Sequence, residues 1–214
     1  FLPIILKLIL NMSNSIILSS LYLPPISYLH AIQKHDVPVK IDPYEHFQKQ
    51  TYRSRTCIGT ANGVLDLFVP IEHGRKQRVT MKEVRINDDH DWQRLHWQSI
   101  QTAYRSSAYF EYYEDDFHTF YNQKYDFLFD YNIKQLELIF KVLKIKKPIE
   151  FTDLYVKDYD DAFDYRNTIH PKKETVYLNQ KPYYQLFEDR TGFIPNLSVI
   201  DLIFNQGPQS KNYL

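Results

Sequence analysis

SIILSSLYLPPISYLHAIQKHDVPVKID, residues 15–42, is the stretch whose reading decides the fold. Residues 15–23 form a short apolar run that stops at Pro24-Pro25, the pattern of a buried strand. ISYLHAIQKH follows with helical spacing, and Ile26, Leu29, Ala31 and Ile32 can share one packed side. VPVKID then alternates and reads as a second strand. Strand, helix, strand is the pattern of a parallel crossover unit, which places the chain in the α/β class.

Downstream, TYRSRTCI (residues 51–58) and VLDLFVPI (residues 64–71) flank Asn62-Gly63. Asn-Gly favours a type I′ turn, so the pair reads as a β-hairpin. KEVRIN (residues 82–87) predicts a further strand after the basic loop HGRKQR. From Asp91 the period turns helical, with Trp92, Leu95, His96, Ser99, Ile100, Ala103 and Tyr104 on one face. Ser106-Ser107 breaks that helix, and two more follow, over residues 109–124 and 133–145. Two irregular Tyr/Asp-rich stretches, a short strand at TVYL (residues 175–178) and a terminal helix at LSVIDLIF (residues 197–204) complete the chain. Gly207 and Pro208 supply the stop. The expected architecture is a mixed sheet with a βαβ opening, a β-hairpin, and a helical middle and C-terminal part.

Upstream, FLPIILKLILN (residues 1–11) is apolar but shorter than the roughly 20 residues of a membrane-spanning helix. It also lacks the small-residue cleavage site of a signal peptide. Residues 1–11 read as a leader foreign to the rest, and residues 12–214 as one domain, with Met12 as the start and a cytoplasmic location. A short amphipathic anchor is the other reading of the leader. Balanced charge, 26 basic against 26 acidic residues, gives no global field for nucleic acid or an anionic membrane. The lone Cys57 cannot form an internal disulfide, which fits a reducing compartment.

Candidate site residues fall in two groups. Lys49, Gln50, Tyr52, Arg53 and Arg55 form a basic element. If TYRSRT is extended, Arg53 and Arg55 share a face and can clamp a phosphate or carboxylate bidentately. The other reading pairs both with acidic residues of the helical half or leaves them solvated. In the aromatic stretch, His96 stands one turn from Trp92, and Trp92, Trp97 and Tyr104 can form a platform for a sugar or nucleobase. His96 is a candidate general base or, alternatively, a core histidine bonded to backbone. Acidic runs around His90 and His118 lack any metal-ligand spacing, so no metal is expected and no cofactor is named.

LYLPPISYLHAI, HFQKQTYRSRTCI, WQRLHWQSIQTAYRSSAYFEYYEDDF and FIPNLSVIDLIFNQGP, in that order, resemble the WbqC-like family over about residues 16–208. Some members of this bacterial family are encoded with O-antigen or other surface-polysaccharide genes. The resemblance implies transfer of a small acyl or aminoacyl, glycine-like group onto a nucleotide sugar. A non-catalytic module binding a glycan, nucleotide or protein partner is the alternative. Carried over by position, the family's Pro-Pro-x-x-Tyr turn falls on Pro24, Pro25 and Tyr28 as part of the site. Ser27 stands where many members carry glycine, which puts a close phosphate approach there in doubt.

Overall fold

The computed structural model describes residues 15–72, 78–173 and 180–214. The opening unit forms as expected: β1 (Ile16–Leu18), α1 (Ile26–Lys34) and β2 (Val39–Ile41), with β1 and β2 parallel. β1 is shorter than its apolar run. After Leu18 the chain leaves the sheet: the Ser19 carbonyl accepts the Tyr28 hydroxyl, and Leu23 turns at φ 39°. Leu21, Tyr22 and Leu23 are buried as loop residues, so hydrophobicity there marks depth and not a strand.

β3 (Arg55–Thr60) and β4 (Gly63–Phe68) pair antiparallel as a separate hairpin, so the mixed character is divided between two sheets. Its turn differs from the expected type I′. Thr60 pairs with Gly63 around Ala61-Asn62, and only Gly63 in the turn has positive φ, 100°. Gly63 therefore serves after the turn instead of inside it. The strand expected over residues 82–87 does not form. Met81–Glu83 is a 3-10 helix, held by a capping box between Thr80 and Glu83, and Ile86 and Arg85 make only isolated bridges.

Helices α2 (Trp92–Tyr104), α3 (Phe110–Asn122) and α4 (Leu128–Val142) make the middle. The buried face of α2 carries Trp97 in place of Leu95, which is 52% exposed. Two strands then return to the main sheet, β5 (Ile149–Phe151) and β6 (Phe163–Asp164). Both lie in or beside the stretches read as irregular, too short to show periodicity. The short α5 (Glu188–Thr191), α6 (Val199–Gln206) and a 3-10 segment (Gly207–Tyr213) follow. The leader, the body of the HGRKQR loop and the TVYL strand lie outside the described residues. No helix among the described residues is long and apolar enough to cross a membrane.

The four-stranded sheet has the order β5-β2-β1-β6, every neighbouring pair parallel. Strands β1, β2 and β5 are laid down in one direction, and β6 is then added on the far side of β1. Strand order thus reverses between β1 and β6, where open α/β sheets leave a crevice beyond the carboxyl ends.

Candidate functional site at the carboxyl end of the sheet

Every parallel strand delivers a polar residue as it ends: Ser19 after β1, Asp42 after β2, Thr152 after β5 and Arg166 after β6. Asp42 is fully buried. Its Oδ1 accepts the backbone N–H groups of Tyr44 (2.9 Å) and Glu45 (3.1 Å) and the Thr152 hydroxyl (3.1 Å). Its Oδ2 takes Arg166 Nη1 at 2.6 Å. Arg166 also grips Asp164 through Nε and Nη2 and lies against the rings of Tyr155 and Tyr159. Burial works against the Arg166 charge, yet Asp164 and Asp42 hold its pKa above the usual guanidinium range.

Arg53 fills the interior at this end of the sheet. It is 1% exposed and forks onto Glu45, Nε to Oε1 at 2.9 Å and Nη2 to Oε2 at 2.6 Å. The same Nη2 donates to Ser19 Oγ (2.8 Å) and to the Arg166 carbonyl (3.3 Å). One guanidinium therefore joins the ends of β1 and β6 and the loop after β2. Burial raises the Glu45 pKa, and Arg53 opposes that rise.

The extended geometry expected for TYRSRT is absent up to Ser54, because residues 51–54 form a turn and β3 begins at Arg55. Arg53 and Arg55 therefore form no common clamp. Arg55 lies on the hairpin, where it pairs with Asp66 at 2.9 Å and approaches the Cys57 sulfur. Burial, then Asp66, push the Cys57 thiol up to about 12, so it holds its proton. Tyr52 is buried and supplies the carbonyl that accepts the Tyr22 N–H.

Lys49 and Gln50 stand exposed in the loop before β3, Gln50 at φ 58°. They meet a segment the sequence reading did not single out. Gln48 donates to Asn167 Oδ1 (3.1 Å), Lys172 to Gln50 Oε1 (3.4 Å) and Lys173 to the Asn167 carbonyl (2.7 Å). His170 lies between these groups, its Nδ1 accepting the Lys172 N–H. Burial, then the charges of Lys173, Arg53 and Lys172, lower its pKa. The result is a rim of Lys49, Lys172, Lys173 and His170 beside a floor in which Arg53 and Arg166 are paired with the carboxylates of Glu45, Asp42 and Asp164.

The Pro24-Pro25 turn supports this floor from beneath. Tyr28, fully buried, holds the Ser19 carbonyl at 2.9 Å, and the Pro24 carbonyl accepts the Val199 N–H. The first N–H groups of α1 are occupied: Ile26 donates to Leu197, Ser27 to Asn196 Oδ1 and Tyr28 to Pro25. No open anion cradle exists at that helix start.

The aromatic group is brought together elsewhere, inside the helical half. His96 is 7% exposed, and its Nδ1 contacts the Tyr22 hydroxyl at 2.9 Å; Tyr22 in turn bonds Tyr121 at 2.9 Å. Burial lowers the His96 pKa to about 4. Trp92 packs its edge on His96 and Tyr131, and Trp97 stacks on His118 with 4.7 Å between centroids. The Tyr104 hydroxyl donates to Asp201 Oδ2 at 2.8 Å, and Tyr183 donates to Oδ1 at 2.7 Å. Trp92, His96, Trp97 and Tyr104 are buried in the core, and among the described residues no hydrogen bond joins any of them to Arg53. Asp42, Glu45, Asp164 and Arg166 were missed. Asp42 directly follows the alternating run VPVKI, and the other three carry no such signal in the sequence.

The carboxyl end of the parallel sheet, at its strand-order reversal, is thus filled by buried ion pairs and flanked by the exposed Lys172 and Lys173. The WbqC-like protein family model matches residues 20–163, and the chain belongs to that family. One relative is an uncharacterized protein of Mycobacterium tuberculosis (strain ATCC 25618 / H37Rv), Rv1507c. It is 22% identical over 228 residues, covering 95% of this chain and 98% of the relative. No solved structure matches. Among the described residues, no group of three or more His, Cys, Asp or Glu side chains could hold a metal ion.

Proposed function

We propose that the crevice between β1 and β6 binds an anionic small molecule, a nucleotide sugar or acyl donor. On this reading the protein is a cytoplasmic transferase of a small acyl or aminoacyl group in surface-polysaccharide synthesis. The observation that carries the binding half is the rim of Lys49, Lys172 and Lys173 at the strand-order reversal. Phosphate groups suit exposed ammonium donors, whereas Arg53 and Arg166 are already spent on carboxylates. For the transfer step His170 stands at the rim, whereas His96 is enclosed. The lowered pKa of His170 keeps the imidazole neutral near pH 7, and Nδ1 becomes the base when it exchanges the Lys172 N–H for the acceptor group.

The second reading, a binding module without chemistry, is favoured by one observation: His96 is enclosed and already bonded to Tyr22. Calorimetric titration with a panel of nucleotide sugars and acyl donors, coupled to product analysis, separates the two. The transferase reading expects binding that weakens in Lys172→Glu/Lys173→Glu and turnover that vanishes in His170→Gln with binding retained. Saturable binding without product sinks the transfer step and leaves the module. A flat panel sinks both.

A further inference from the structure

At the opposite, amino end of the sheet the structure carries a second cationic cleft, of about 520 Å³. It opens where Val37-Pro38 enters β2 and Pro148 enters β5, beside the chain leaving α4. Val37, Pro38, Ile145 and Pro148 give it apolar lining; Lys144, Lys146, Lys147 and Lys211 give it charge, against the single carboxylate of Asp36. The volume lies within the roughly 300–1,000 Å³ of small-molecule sites.

Two of these ammonium groups are held in place. Lys147 Nζ donates to the carbonyls of Ile32 and His35, and Lys211 Nζ donates to the Lys144 carbonyl at 2.8 Å. An ammonium has three donors, so each anchored lysine keeps at least one for a ligand, with part of its ordering cost already met. Lys144 and Lys146 are exposed. None of the ion pairs among the described residues involves any of the four. In a chain of zero net charge, four lysines against one acid around a single cleft leave a local excess that an anion would offset. The nearby His35 senses this field: burial, then Lys34 and Lys147, lower its pKa.

We infer that this cleft is a second ligand site, taking a phosphate group on its lysines with the apolar body of the ligand against Val37, Pro38, Ile145 and Pro148. The phosphate can belong to a soluble ester or to a lipid headgroup, and two probes tell these apart. Inorganic pyrophosphate is titrated into the full chain while backbone amide resonances are followed. Flotation is then measured with phosphatidylglycerol-containing vesicles against phosphatidylcholine vesicles. The expected result is a shift confined to amides near residues 36–38 and 144–148, or flotation with the anionic vesicles alone. Either response should weaken about tenfold or more in Lys146→Glu/Lys211→Glu, the loss expected when charge-assisted bonds are removed. It should persist in Lys172→Glu/Lys173→Glu, which separates this cleft from the crevice at the other end. Pyrophosphate binding alone assigns a soluble phosphate ester, and flotation assigns a headgroup. No response to either probe, or one indifferent to charge reversal at Lys146 and Lys211, overturns the inference. Lys146→Glu alone, at an exposed side chain, keeps the test valid if the double variant fails to fold.

Discussion

At the carboxyl end of the parallel sheet, buried charge meets buried charge; between the hairpin and α6, a buried carboxylate meets only neutral donors. Arg53 and Arg166 are each 4% exposed or less, and Glu45, Asp42 and Asp164 answer them at 2.6 Å. Asp201 is as deeply buried, and its side-chain partners are the hydroxyls of Tyr104 and Tyr183 and the Asn205 amide. The difference teaches how each region responds to insult. A matched ion pair resists pH but fails when one partner is removed, while a carboxylate held by hydroxyls survives as a unit but titrates.

The largest effect should follow from breaking the matched pair. Arg53→Ala strands the Glu45 carboxylate in the interior and removes the link between β1 and β6. The expected loss is about 3–5 kcal/mol in urea unfolding. Arg53→Met combined with Glu45→Leu should recover much of that loss, because neither charge is then buried alone. Equal destabilisation in the single and double variants would break the comparison. The same result warns against reading lost binding in Arg53→Ala as a binding role, since the fold itself is at stake.

Asp201 supplies the next effect, and its sign is opposite to that of an ordinary ion-paired carboxylate. Burial raises its pKa to about 6 in the folded chain. Its contribution is therefore fully present below the unfolded carboxylate pKa and is lost as pH rises through about 6. The loss is on the order of 3 kcal/mol. His96 works the other way, since its pKa of about 4 penalises the fold as pH falls. Only a difference curve isolates Asp201. Wild type minus Asp201→Asn should decline from about pH 4 to about pH 6 and then level off. A flat difference would mean that the carboxylate is not protonated within the fold.

How far all this was legible follows from what each feature leaves in a sequence. The βαβ opening, the hairpin, the three middle helices and the terminal helix could be read because each repeats its pattern over several residues. β5 and β6 could not, because three residues and two residues carry no period. Val84 and Ile86 mimic a strand, yet each is buried beside the start of α4 with only isolated bridges in place of a ladder. At the candidate site, Arg53 and Lys49 announced themselves as a basic cluster. Whether Arg53 faced a ligand or Glu45 depended on a turn at residues 51–54, and on a partner eight residues away that only the fold brings opposite. The aromatic stripe was visible but ambiguous. Trp97, for example, finds His118 across a helix pair, and no local pattern tells such a contact from a ligand platform.

Within the hydroxyl-based half, Tyr22→Phe should cost about 1–3 kcal/mol, since His96 Nδ1 and the Tyr121 hydroxyl each lose their bond to Tyr22 in a water-poor setting. Ring packing against Tyr131, with centroids 5.8 Å apart, survives that change, so thermal unfolding should stay cooperative. A cost near zero would mean that water already substitutes for the Tyr22 hydroxyl.

The smallest effect on stability should come from the residues with most at stake in function. Lys172 and Lys173 are exposed, and among the described residues their ammonium groups hydrogen-bond Gln50 and the Asn167 carbonyl. Reversing both charges should move folding stability by about 0.5 kcal/mol or less, as for most surface substitutions. Reversal removes two cations from the rim while Arg53, Glu45, Asp42 and Arg166 stay locked beneath it. Binding of an anionic ligand at the crevice should therefore weaken with no change in the unfolding midpoint, and its dependence on salt should flatten. If reversal instead destabilises the fold by several kcal/mol, the rim belongs to the same structural ionic assembly as its floor. The division between a saturated interior and an available surface would then fail.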